Sequence, residues 1–150
     1  PYLPEEHFAK LGVERMASED ELLENADVFS IHLPLMASTA NIITYEKLKK
    51  LKPNAIFLNL ARGGLVEEEG LIRALREGVI SGAGLDVLAD EYPSMDHPLL
   101  HMDNVIVTPH IAYYSEGSDR DLRNLSIDQI IETMEQGAPR FLLNGKELNK

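Results

Sequence analysis

The sequence predicts an α/β fold, a parallel sheet with helices on both faces. Three observations carry that prediction: five short runs read as strands, most are separated by stretches with helical periodicity, and the connections are too long for hairpins. The length, 150 residues, suits one domain, and 44% hydrophobic content is ordinary for a globular chain that buries a core.

The first helix has Pro4 near its first turn, Glu5 and Glu6 where the dipole favours negative charge, and Gly12 just past its end. A short strand, Val13 to Met16, follows. Ser18 with Glu21 three positions on forms a capping box and opens a helix that stops near Asn25. Asp27 to Leu33 is a strand ended by Pro34. Tyr45 to Leu51 is helical until Lys52-Pro53-Asn54 breaks it, and Ala55 to Leu60 is an apolar strand that ends at Arg62-Gly63-Gly64.

Glu67 to Glu77 reads as a helix with acids at Glu67, Glu68 and Glu69, an apolar face of Leu71, Ile72 and Leu75, and Gly78 as its stop. Gly82 to Val87 is a strand, a loop with Pro93 and Pro98 follows, and Val105 to Thr108 is the last strand, stopped by Pro109. Ser115 caps a helix from Glu116 to about Gln136 that carries Ile127, Ile130, Ile131 and Met134 at helical spacing. Gly137 closes it, and Pro139 to Lys150 forms a tail with Phe141, Leu142 and Leu143 able to dock.

Composition narrows the function. A net charge of −11 argues against nucleic acid and anionic membranes, which are held by clustered Lys and Arg. The chain has no cysteine, which removes disulfides, thiolate catalysis and Cys-based metal sites and fits a reducing compartment. No apolar run approaches the ~20 residues of a membrane span. The start, Pro1-Tyr2-Leu3-Pro4, lacks a signal-peptide pattern and is not Met, so a fragment or processed product is expected.

In an open parallel sheet, ligands bind beyond the carboxyl ends of the strands. His32 closes one strand, Arg62 follows the next, Glu91 lies beyond Asp86 on the one after, and His110 follows the last. An arginine, a carboxylate and a histidine on one rim make an anion clamp and an acid–base pair. The guanidinium can hold a carboxylate through two parallel bonds, and Gly63-Gly64 lets the backbone approach a ligand. Taken singly, each has a plainer reading: Arg62 as a surface ion-pair residue, His110 as a structural histidine, Glu91 as part of a solvated acidic loop.

His7, His97 and His101 read as surface or loop residues, and no histidine pair has metal-ligand spacing, so no metal site is assigned. The Gly-x-Gly-x-x-Gly fingerprint is missing too: Gly82-Ala83-Gly84 starts it, but Val87 takes the third position, inside a strand. Glu67, Glu68 and Glu69 would repel a phosphate from the helix after Gly63-Gly64.

Three blocks nevertheless stand in order: Asn59-Leu60-Ala61-Arg62-Gly63-Gly64-Leu65-Val66, then Gly82-Ala83-Gly84-Leu85-Asp86-Val87 with Glu91 downstream, then Thr108-Pro109-His110-Ile111-Ala112. Together they closely resemble the D-isomer-specific 2-hydroxyacid dehydrogenases. Asp27 to Pro34 and Asp96-His97-Pro98-Leu99-Leu100 look like the same family. Tyr113-Tyr114-Ser115 and the ending Pro139 to Asn144 look most like the branch that includes the C-terminal-binding proteins.

The resemblance implies the carboxyl-terminal half of a two-domain enzyme. Residues 1–114 would be a partial Rossmann-like NAD-binding domain lacking its first strand and glycine-rich turn, and residues 115–150 a helix and tail that return to the substrate domain. Arg62 would grip the substrate carboxylate, His110 would protonate the carbonyl oxygen, and Glu91 would hold His110 and favour its charged form. Cofactor contacts would map onto Leu33, Pro34, Leu60, Ala61, Arg62, Asp86, His110, Ile111, Ala112 and Tyr113. The implied cofactor is NAD in preference to NADP, and the substrate a small 2-oxo or 2-hydroxy acid. A cytoplasmic homodimer is implied, as is inactivity of these 150 residues alone. The alternative is an NAD(H)-sensing, corepressor-like binding protein. Tyr113 and Tyr114 read either as an aromatic pocket wall or as core.

Overall fold

The computed structural model describes residues 3–142. The readings of Pro1-Tyr2 and of the tail from Leu143 to Lys150 lie outside the described residues. Two compact units are present, Pro1–Ala112 and Tyr113–Lys150.

The first unit holds β1 (Val28–Ile31), β2 (Ile56–Asn59), β3 (Gly82–Leu85) and β4 (Val105–Val107), all parallel and in sequential order across one sheet. Its helices are α1 (Glu5–Leu11), α2 (Glu19–Asn25), α3 (Tyr45–Leu48) and α4 (Glu68–Arg76). The predicted capping signal starts α2: the Ser18 hydroxyl accepts the Glu21 N–H, and the Glu21 carboxylate reaches back to the Ala17 N–H. Amphipathic α4 buries Leu71, Ile72, Ala74 and Leu75. Two short 3-10 turns, Gly63–Leu65 and Pro98–His101, follow β2 and precede β4.

Alternation along the strands separates the two faces of the sheet. Phe29, Ile31, Phe57, Ala83 and Leu85 are buried in register, and join a core with Leu23 of α2, Leu48 of α3 and Leu71, Ile72 and Leu75 of α4; Asn59, in register with Leu85, is a buried polar residue. On the opposite face Val28 is 56% exposed and Ile106 72% exposed. Helical cover, expected on both faces, is thus seen on one within the described first unit. The strand expected at Val13–Met16 is corrected. That segment is irregular and largely exposed, and it pairs with no strand among the described residues; three or four residues gain ladder bonds only beside a partner.

The second unit is built on α5 (Glu116–Gln136). Ser115 caps it as expected, in a reciprocal pairing with Ser118, and Gly137 ends it at φ +80°. Ile127, Ile130, Ile131 and Met134 are exposed.

Candidate active site

The turn after β2 is shaped by Asn59, which is 1% exposed. Its side-chain oxygen accepts the Ala61 N–H at 3.0 Å and its amide nitrogen donates to the Arg62 carbonyl at 3.0 Å. A buried amide with both ends satisfied fixes the three residues that lead to Arg62. Arg62 itself is exposed, and its Nη1 donates to the Ala61 carbonyl at 2.6 Å. Gly63 follows because nothing larger fits. A Cβ there would lie 1.8 Å from the Leu88 carbonyl oxygen, so the turn after Arg62 presses against the chain leaving β3.

Asp86, the first residue beyond β3, is 4% exposed and organises the turn after β4. Its Oδ1 accepts from the Thr108 hydroxyl and from the Ile111 N–H at 2.9 Å, its Oδ2 accepts the Ala112 N–H at 2.9 Å, and its main-chain carbonyl accepts the His110 N–H at 2.9 Å. Burial pushes the carboxyl upward, but the Thr108 hydroxyl, the Ala112 and Ile111 amides and the nearby His110 outweigh it and hold Asp86 below the usual carboxylate range. Wrapped around this anion, His110 adopts φ +54°, a left-handed conformation that non-glycine residues rarely take.

His110 Nδ1 lies 3.2 Å from Glu91 Oε1, both side chains partly exposed. With Nδ1 turned to the carboxylate, Nε2 is the ring nitrogen left to meet a ligand. Both residues line a cleft of about 210 Å³ with Asp86, Leu88, Leu100 and Thr108. That is smaller than the ~300–1,000 Å³ pockets that enclose a drug-sized ligand, and suits a small acid or a single ring.

The structure thus brings Glu91, His110 and Asp86 together. Arg62 is not among the residues lining this cleft. Leu33, Leu60 and Ile111 stand as exposed apolar side chains just past β1, β2 and β4, Pro34 is exposed beside Leu33, and Ala61 is half-buried. Ala112 contributes its N–H to Asp86, and Tyr113 falls in the second unit, exposed there. Sequence reasoning missed Asn59 and Thr108 as organising residues. A buried-strand Asn and a Thr before Pro-His were the available signals; Asn59 bonds locally, to Ala61 and Arg62, whereas the partner of Thr108, Asp86, lies 22 residues away.

Three comparisons with known proteins place the chain in a family. The family model described as "D-isomer specific 2-hydroxyacid dehydrogenase, NAD binding domain" matches residues 1–112. A D-3-phosphoglycerate dehydrogenase of Methanocaldococcus jannaschii is 42% identical over 87% of this chain and 25% of its own. A glyoxylate reductase of Thermofilum pendens is 40% identical over 86% of this chain and 38% of its own. Among solved structures, D-lactate dehydrogenase with NAD+ from Lactobacillus jensenii superposes with a TM-score of 0.78 at 36% identity, over 85% of this chain and 42% of its own. The chain spans less than half the length of each of these relatives.

Proposed function

The chain belongs to the D-isomer-specific 2-hydroxyacid dehydrogenase family through its NAD-binding domain, and from that premise we propose that it supplies the acid–base half of an NAD(H)-dependent interconversion of small 2-oxo and D-2-hydroxy acids. The observation that carries this reading is the His110–Glu91 pair at 3.2 Å, lining a small cleft at the carboxyl end of a parallel sheet.

The residues suit one end of a dinucleotide. Exposed Leu33, Leu60 and Ile111 offer apolar surface past β1, β2 and β4 for the flat parts of a dinucleotide, while no glycine-rich turn for the pyrophosphate occurs in this sequence. When bound, NADH supplies the hydride. His110 Nε2 holds the proton that the carbonyl oxygen of a 2-oxo acid takes up, and recovers it in the oxidation direction. Glu91 orients the ring through Nδ1 and offsets the positive charge of the imidazolium. Arg62, exposed on its fixed turn, grips the substrate carboxylate once it swings from the Ala61 carbonyl. The remaining substrate contacts come from the segments that the longer relatives possess outside the matched region.

Homodimerisation and a cytoplasmic location belong to the same proposal, and sedimentation and cell fractionation check them. The reaction is tested by NADH consumption with glyoxylate, hydroxypyruvate and pyruvate. Loss of turnover in His110→Ala supports the reading, and undiminished turnover overturns it.

A further inference from the structure

We infer that Glu68 is a positioning residue for the His110–Glu91 pair, because its single carboxylate fastens both ends of the loop that carries Glu91. This rests on the function proposed above. Glu68 is the first residue of α4, where the helix dipole favours a negative charge, and its side chain is 23% exposed. Its Oε2 accepts the N–H of Ala89 at 3.0 Å, two residues before Glu91. Its Oε1 lies 3.1 Å from Nε2 of His97, six residues after Glu91.

The tautomer follows from the other ring nitrogen. His97 Nδ1 accepts the Leu99 N–H at 3.3 Å, so the ring proton sits on Nε2 and is donated to Glu68. His97 in turn caps the Pro98–His101 turn, whose Leu99 is fully buried in the core. One end of the loop is therefore tied to α4 through a main-chain amide, and the other through an imidazole anchored beside the core. Between these points Glu91 is exposed, the bonds within the segment are local, Tyr92 N–H to Asp90 and His97 N–H to the Ser94 carbonyl, and the Met95 carbonyl meets His101 Nε2 of the following turn.

From below, the loop is stopped by Gly63, whose backbone leaves no room for a Cβ against Leu88 and Ala89. Glu68 pulls the same stretch toward α4. The position of Glu91 is then set by the Arg62 turn on one side and α4 on the other, and releasing Glu68 returns conformational freedom to the segment between Ala89 and His97. Fewer molecules then hold Glu91 against His110 at any moment. Loss of a residue that acts in this way lowers turnover although the residue never touches substrate.

A double-mutant cycle in the full-length protein, run with the 2-oxo acid it turns over fastest, distinguishes this from a merely structural ion pair. Glu68→Ala should lower kcat about ten- to a hundredfold while KM moves less than about threefold. Glu68→Gln keeps one of the two bonds and should fall between. In a Glu91→Gln background, Glu68→Ala should cost less than about threefold more, because its effect runs through Glu91. A full, multiplicative loss in that background, or no loss of kcat in Glu68→Ala, overturns the proposal.

Amide hydrogen exchange keeps the question decidable if no 2-oxo acid is turned over, an outcome that would sink the proposed function instead. Glu68→Ala should speed exchange at Ala89, whose N–H it frees, at least about tenfold and leave Leu71 and Leu75 of α4 unchanged. Equal acceleration along α4, or none at Ala89, overturns the positioning role.

Discussion

The main-chain N–H of His110 donates to the main-chain carbonyl of Asp86 at 2.9 Å, and the Asp86 carboxylate collects the next two amides, so one buried anion holds the histidine at φ +54°. Asp86→Asn replaces an all-acceptor group by one that turns an NH2 toward a donor. It should destabilise the fold by about 1–3 kcal/mol in urea unfolding. The pH dependence has a fixed sign. Because the native carboxyl titrates below its ordinary value, its contribution is complete above about pH 4 and is lost as pH falls through the native value, and Asp86→Asn should flatten that acid limb.

The left-handed backbone of His110 separates its chemical role from its conformational one. His110→Ala and His110→Asn should each lower kcat by about a hundredfold or more. Only the alanine should also lose about 1 kcal/mol of stability, because Asn tolerates this conformation. Steady-state kinetics beside thermal unfolding of both variants checks the contrast.

Gly63→Ala would drive a methyl into the Leu88 carbonyl, and should cost about 1–3 kcal/mol or displace the chain toward Glu91. Gly117→Ala, whose Cβ would meet only Ser115 Oγ at 3.8 Å near the start of α5, should be neutral or stabilising. Denaturant midpoints of the two variants provide the comparison.

Arg62→Lys keeps the charge and loses the planar fork. It should raise KM for the 2-oxo acid about tenfold or more, with a smaller effect on NADH binding measured by fluorescence. Equal weakening of both would place Arg62 on the cofactor instead.

Much of this architecture is legible in the sequence because its signals are local. Ser18-x-x-Glu21, Gly12, Ser115 and Gly137 act within a few residues of their own backbone, and the structure keeps each of those boundaries. The pairing of His110 with Glu91 is an expectation of the family resemblance carried by the three ordered motif blocks, and no local signal predicts it; the two side chains lie 3.2 Å apart. Val13–Met16 was misread because strand propensity says nothing about whether a neighbouring edge exists. Glu68 and His97 were passed over for a related reason. One reads as an ordinary first-turn acid and the other as a loop histidine, and only tertiary folding brings residues 29 positions apart to 3.1 Å. The same holds for Gly63, whose neighbour Leu88 belongs to another strand's exit.

Whether His110 beside Glu91 serves as the acid–base group in a 2-hydroxyacid dehydrogenase is read from NADH absorbance. The full-length protein and its His110→Ala variant would each be given glyoxylate, hydroxypyruvate and pyruvate. Steady oxidation of NADH with at least one acid, reduced about a hundredfold or more by the substitution, is the predicted result. NADH binding without turnover of any acid, or turnover that His110→Ala leaves intact, would contradict it.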